Sequence, residues 1–261
     1  VNILDKIILA KKEEVAIAKA KVSTAAIEKM PLFGRECPSL ADSLKSHPYG
    51  IISEFKRQSP SKGLINGTAT PAETAKGYEA AGAAAISCLT DEPFFGGTLA
   101  DLSAVRGAVD IPVLRKEFIV DEYQILEAKG YGADIILLIA SALSVEECHQ
   151  FATFAKSLGL NTLLEVHDKE ELLQYQNEDM DVVGVNNRNL KTFVTDYRQS
   201  LELLPFFPSG TVKISESGLH EVSQLKELKA AGFDGFLIGE NFMKTEDPAG
   251  AIQTFMNELK E

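Results

Sequence analysis

Eight short apolar runs rich in β-branched residues, amphipathic segments between them, and glycines where those segments give way to the next run predict an α/β protein, a (β/α)8 TIM barrel with an N-terminal helical extension. The expected strands cover residues 51–54, 85–89, 112–114, 135–139, 162–165, 182–185, 212–214 and 236–238. The run IILLIA, residues 135–140, is apolar on both faces, as a strand in a buried parallel sheet must be. In EAAGAAAI, AKGYGADII, KSLGLNTLL and KAAGFDGFLI, residues Gly82, Gly132, Gly159 and Gly232 fall at helix ends, where a left-handed residue lets the chain turn into the next strand. The competing arrangement is an open doubly wound sheet. It would more often carry a glycine-rich nucleotide turn after its first strand, and no GxGxxG follows any run.

The first 48 residues precede the first strand and contain two helix-like stretches, 4–20 and 39–46. They are expected to form an extension packed on the barrel and covering one end. No Ser/Gly-rich linker interrupts the rest, so residues 1–261 read as a single barrel domain.

A hydrophobic share of 45% is enough for a substantial core, and no run approaches the roughly 20 apolar residues that span a bilayer. With 26 Lys plus Arg against 38 Asp plus Glu the net charge is -12, so no nucleic-acid or membrane partner is expected and any anion must be held locally. Cys37, Cys88 and Cys148 are dispersed and odd in number, which argues for inert thiols rather than a disulfide framework. The segment VNILDKIILAKKEEVAIAKAK mixes charge into every apolar run, unlike a signal peptide, so the chain is expected in the cytoplasm. Val1 in place of an initiator Met is expected of a chain processed or trimmed there. His47, His149, His167 and His220 show no HxH or HExxH spacing, and only His167 lies just past a strand end, so neither a metal nor a cofactor is expected.

In a barrel, chemistry gathers where strands end. Those ends are polar here: EFKRQSPSKG (residues 54–63), PVLRKEF (112–118), LLEVHD (163–168), GVNNRNL (184–190), KISESG and LIGEN. Alternation along a strand puts Glu54 with Lys56, Leu114 with Lys116, Leu163 with Glu165 and Gly184 with Asn186 on common faces. Each charge alone reads as a solvated loop residue. Charges at six ends of an apolar barrel need partners or a ligand to offset their desolvation, which predicts one site. Ser217 and Gly218 after the seventh strand, with Gly239, Glu240 and Asn241 after the eighth, offer backbone N–H groups where many barrels hold a phosphate. Lys56, Arg57, Lys62, Arg115, Lys116 and Arg188 are expected to add a local cationic cluster.

Taken with FFGGTLADL (94–102), the longer strings PVLRKEFIVDEYQI and GVNNRNLKTF, and LIGENFM, these motifs resemble the indole-3-glycerol phosphate synthase family of tryptophan biosynthesis in order and spacing over nearly the whole chain. Glu117 stands where the family usually has Asp, and the length is expected to leave no room for the fused isomerase domain that some members carry. The resemblance implies a monomeric carboxy-lyase acting on a phosphorylated small molecule. Its reaction closes 1-(2-carboxyphenylamino)-1-deoxyribulose 5-phosphate into indole-3-glycerol phosphate with loss of CO2 and water.

By the same resemblance, Lys116 would donate a proton to the ketone oxygen, and Glu54, Glu165 and Glu216 would face the nitrogen as it becomes cationic. Lys56 would pair the substrate carboxylate, Asn186 would hold ribulose hydroxyls, and Arg188 would orient neighbouring carboxylates. Ser59, Ser217, Gly218, Gly239 and Glu240 would bind the phosphate, Glu240 through its backbone N–H, while Phe118 would pack on the anthranilate ring. Burial and Lys56 would lower the Lys116 pKa and Glu54 and Glu165 would raise it, so the sign of its shift is open from sequence.

Two rivals stand beside this reading. Another phosphate-binding barrel enzyme, of the phosphoribosylanthranilate isomerase or tryptophan synthase α type, has no need of two strand-end lysines. A noncatalytic phosphometabolite-binding barrel would keep the glycine-rich turns and lose the inward Lys and Glu; here both sets are present.

Overall fold

In the computed structural model, which describes residues 2–189 and 194–261, the eight expected strands form and close into a parallel barrel in chain order. They are β1 (Ile51–Phe55), β2 (Ala85–Leu89), β3 (Val113–Lys116), β4 (Ile135–Ile139), β5 (Asn161–Val166), β6 (Val182–Asn186), β7 (Lys213–Glu216) and β8 (Gly235–Ile238). Pairing of Ile52 with Leu237 joins β1 to β8 and leaves no open edge.

The period of two along each strand sorts its side chains. Ile52, Leu114, Leu137, Leu163, Ile214 and Leu237 share one buried cluster inside the barrel. Their neighbours Ile51, Ile86, Ile136, Leu138, Leu164, Val183 and Phe236 belong to a second cluster beneath the surrounding helices. Two residues beyond the inner apolar layer the same faces carry Glu54, Lys116, Glu165 and Glu216. Several strands run further than their apolar residues alone predict, because Lys116, Asn186 and Glu216 are themselves strand residues. Their backbones stay in the ladder while their side chains meet one another at the mouth.

The αβ turns are as expected: Gly82, Gly132, Gly159 and Gly232 all have positive φ, from 73° to 119°. On the opposite side of the barrel, Asp121, Ser144 and Asp168 cap the helices that follow β3, β4 and β5, so each chain reversal is completed within a few residues of a strand end.

The extension covers both ends of the barrel rather than one. Helix α1 (Ile3–Lys21) reaches the mouth, where Ile3, Leu4 and Ile7 meet the cavity. Helix α3 (Leu40–Ser46), which follows the short helix α2 (Thr24–Glu28), plugs the other end, with Leu40 and Leu44 joining the inner cluster. The turn into β1 passes so close to Asp234 that a Cβ at Gly50, φ 57°, would stand 2.4 Å from the Asp234 carbonyl oxygen. A further departure from the expected loops is the antiparallel hairpin Gln58–Ser59 with Gly63–Leu64, formed directly after β1.

Candidate active site

The inner polar layer forms the floor of a cavity of about 440 Å3 at the C-terminal ends of the strands. Its centre is Lys116, whose Nζ lies 3.6 Å from a Glu216 oxygen and 3.8 Å from oxygens of both Glu54 and Glu165. Lys56 Nζ is 3.0 Å from Glu54 Oε1, and Ser87 donates to Glu54 Oε2 at 2.9 Å. Asn186 Nδ2 donates to Glu165 Oε1 at 3.0 Å. Glu54, Lys116, Glu165, Asn186 and Glu216, from five different strands, thus converge on one point, with Ser87 of β2 and Lys56 just past β1 beside them.

Two backbone positions make room for this cluster. A Cβ on Gly184 would collide with Glu216 Oε1, and one on Gly239 would lie 2.8 Å from Glu54 Oε1. A side chain at either position would have to displace the Glu216 or Glu54 carboxylate from its place.

The charges are strongly redistributed. Burial works against the Lys116 ammonium, but Glu54, Glu216 and Glu165 together raise its pKa well above the ordinary lysine value, which settles the sign left open by the sequence. Burial also works against the Glu54 anion; Lys56 and Lys116 overcome it and hold Glu54 below the usual carboxylate range. Glu165 is likewise lowered, against its burial, by Lys116 and then His167. Glu216 goes the other way. Burial and the neighbouring Glu165 push it up to about 8, and both of its oxygens are buried without a hydrogen-bond partner among the described residues. Around Lys116 the centre therefore holds two carboxylates, Glu54 and Glu165, in the anionic form and one carboxyl, Glu216, protonated near neutrality.

The far side of the cavity carries the expected anion-binding residues. Ser59, Ser217, Gly218, Gly239 and Glu240 all line it, as do Arg188 and Asn241. Ser217 has φ 70°, a left-handed conformation unusual for a residue with a side chain, and Gly218 follows at φ 71°. Such strain at a cavity edge is characteristic of backbone shaped for a ligand. The Glu240 side chain turns to Lys62 at 3.5 Å. Arg188 Nη1 donates to Ser61 Oγ at 2.9 Å, tying the β6 loop to the β1 hairpin. The motif GVNNRNLKTF continues into residues 190–193, which lie outside the described residues.

The apolar wall has components that the sequence reading missed. Phe118 lines the cavity with Phe95, their ring centroids 6.0 Å apart, and Ile3, Leu4 and Ile7 of α1 complete that side. What holds α1 there is Lys11. It is almost fully buried, with Nζ 2.8 Å from Asp91, 3.2 Å from Glu117 and 2.7 Å from Glu14. Burial disfavours the Lys11 charge, yet Glu117 and Asp91 raise its pKa overall. Glu117 directly follows Lys116 in the chain, so this ion cluster ties the covering helix to the end of β3. The signal was present in the sequence: Ile7, Lys11 and Val15 repeat every four residues, placing a lysine on the buried stripe of α1.

The cationic cluster is smaller than expected. Arg57 forms a bidentate pair with Asp101, and Arg115 is buried against Glu127 and the Gln124 carbonyl. Arg57 lies two residues past the outward Phe55 and Arg115 immediately before the inward Lys116, so both point away from the barrel interior by the same alternation that turns Lys56 and Lys116 inward. Cys88 and Cys148 are buried, Cys37 is partly buried, and all three are free thiols.

Fold and floor define a (β/α)8-barrel enzyme with a lysine–carboxylate centre. The chain belongs to the indole-3-glycerol phosphate synthase family, whose model matches residues 4–255. It is similar to the indole-3-glycerol phosphate synthase of Bacteroides thetaiotaomicron, with 48% identity over 99% of each chain. The Neisseria meningitidis serogroup B protein of the same name is 44% identical over 94% of this chain and 96% of its own. Among solved structures, thiamine phosphate pyrophosphorylase from Pyrococcus furiosus matches with TM-score 0.60 at 16% identity, covering 85% of this chain and 100% of that one. 3-Hexulose-6-phosphate synthase from Salmonella typhimurium matches with TM-score 0.60 at 14% identity, covering 81% and 98%. These two share the barrel.

Proposed function

We propose that the chain catalyses the closure of 1-(2-carboxyphenylamino)-1-deoxyribulose 5-phosphate to indole-3-glycerol phosphate, CO2 and water, in tryptophan biosynthesis, as a cytoplasmic monomer. Family membership supports the activity. The observation that carries the chemistry is Lys116 held within 3.6 to 3.8 Å of three buried carboxylates on the cavity floor. For the location, no helix among the described residues is long and apolar enough to cross a membrane.

The substrate phosphate sits at Ser59, Ser217, Gly218, Gly239 and Glu240, and the anthranilate ring lies against Phe118. Lys56 pairs the ring carboxylate, Asn186 holds ribulose hydroxyls, and Arg188, expected from the resemblance to orient neighbouring carboxylates, instead meets Ser61 of the hairpin at the rim. The ring carbon bearing the carboxylate attacks the ribulose ketone, and negative charge gathers on the ketone oxygen. Lys116, kept charged by its carboxylate neighbours, supplies the proton. As the ring nitrogen gives up its lone pair it becomes cationic, opposite Glu54 and Glu165, which stay anionic. Carbon dioxide then leaves, its electron pair returning to the ring. Loss of the new hydroxyl as water, assisted by an ammonium as acid, and transfer of a proton from the former ribulose C1 methylene to a neighbouring carboxylate complete the indole.

The test is to incubate the purified chain with the carboxyphenylamino-deoxyribulose phosphate without added metal and to follow indole absorbance and CO2. Equimolar release of both is expected; indole formation without CO2, or neither product, contradicts the proposal.

A further inference from the structure

His167 is a titratable group that the reaction just described leaves idle. It is the first residue after β5, and it is not among the residues lining the cavity. Its Nε2 stands 3.6 Å from Glu165 Oε1 and is buried with no hydrogen-bond partner among the described residues. Its Nδ1 lies 3.3 Å from Glu171 Oε2, and the same oxygen accepts the His167 backbone N–H at 2.7 Å. The His167 carbonyl accepts from Gln199 Nε2. The ring thus meets Glu171 through Nδ1 and presents a buried Nε2 to Glu165.

The arrangement has a consequence for charge. Glu165 and Glu216 are close enough for each to influence the other, and Lys116 faces both, so the lysine alone does not decide which of them carries the proton. Two adjacent buried carboxylates cannot both ionise without a large electrostatic cost. His167 breaks the tie because it stands against Glu165. The groups that act on it are Glu171 from the helix after β5, Glu165 from β5 itself and Glu216 from β7, and all three favour the imidazolium over the neutral ring that burial would otherwise select.

We propose that His167 is a positioning residue that acts through Glu165. As an imidazolium held between Glu171 and Glu165, it fixes Glu165 as the anionic member of the pair and leaves the proton on Glu216. This rests on the reading of Glu165 as the carboxylate that faces the cationic nitrogen of the substrate.

The experiment compares the pH dependence of kcat/KM for the wild type, His167→Gln, His167→Lys and Glu171→Gln on the carboxyphenylamino-deoxyribulose phosphate. Removal of a neighbouring opposite charge moves the acid limb of His167→Gln upward by about one pH unit, near the lower end for such pairs. Glu171→Gln moves it less, in the same direction, and His167→Lys, which retains a cation, brings it back towards wild type. A merely structural role would lower the profile without moving its limb. A superimposable His167→Gln limb, or a shift that lysine does not reverse, overturns the inference. If thermal melts show that His167→Gln does not fold, Glu171→Gln decides by the same criterion. In wild type, nitrogen NMR of the His167 ring gives a second reading: titration above the ordinary value of about 6.5 is expected, and titration below it overturns the proposal. A wild-type protein that forms no indole at any pH would instead sink the ring-closure reading, and the NMR titration alone would then judge His167.

Discussion

The Glu216 carboxylate occupies the space that a side chain at Gly184 would need: a Cβ there would stand 2.0 Å from Glu216 Oε1. β6 and β7 are paired with Asn186 opposite Glu216, so the missing side chain on one strand is filled by the acid from the next. Gly184→Ala is therefore expected to push Glu216 off Lys116. Steady-state kinetics should show kcat down by at least tenfold, and thermal melts a loss of about 1–3 kcal/mol, the usual cost of overpacking. Wild-type kcat in this variant would show that the position of Glu216 is not critical.

Glu216 should also be a site where function is held at the expense of stability. Its folded pKa is raised, so the folded state binds the proton more tightly than the unfolded chain and stability falls as pH rises from 4.5 to about 8. The lowered groups Glu54 and Glu165 act oppositely: their contribution is present above the unfolded value of 4.5 and is lost as pH falls through their lower folded values. Glu216→Gln, a neutral group of the same shape, is predicted to melt higher than wild type at pH 8, with the gap narrowing towards pH 5, while kcat falls. A variant that melts lower at pH 8 would mean that the ionised carboxylate stabilises the centre.

Much of this site is legible in the sequence because strand alternation is a rigid rule. Once Ile52, Leu114 and Leu163 are assigned to the interior, Glu54, Lys116 and Glu165 must follow them inward, and Arg57 and Arg115 must not. The expected cluster of six cations overlooked the second half of that rule. The family motifs added the roles but not the contacts. What pattern reading missed depends on distant segments: α1 lies far from β3 in sequence, and the Lys11–Glu117 pairing is set by tertiary packing. The lysine on the apolar stripe of α1 marks one partner without naming the other. The short hairpin after β1 was hidden for a different reason, since strands of two residues are too brief for alternation to register.

Lys11 provides the third test. Lys11→Met keeps the apolar stem and removes the charge, leaving Asp91 and Glu117 buried without it. Breaking one side of a buried ion cluster typically costs about 3–5 kcal/mol. Denaturant unfolding should show a loss of that order, and kinetics should show KM rising more than kcat falls, because Ile3, Leu4 and Ile7 would no longer be held at the cavity wall. Unchanged KM would separate α1 from substrate binding.

Ser217 tests whether the backbone at the cavity edge is strained. At φ 70° a β-branched residue is disfavoured by roughly 1–2 kcal/mol, so Ser217→Val should destabilise by at least that amount. Ser217→Gly, free of that penalty, should fold as well as wild type in the same thermal melts. Equal stability of the Val and Gly variants would argue against a left-handed Ser217.

The central claim is that Lys116 is the acid of ring closure, and single-variant kinetics on the carboxyphenylamino-deoxyribulose phosphate tests it most directly. For Lys116→Ala, shown by thermal melting to be folded, turnover is predicted to fall by at least about 100-fold, the lower range for a positioned proton donor. Turnover close to wild type would contradict it.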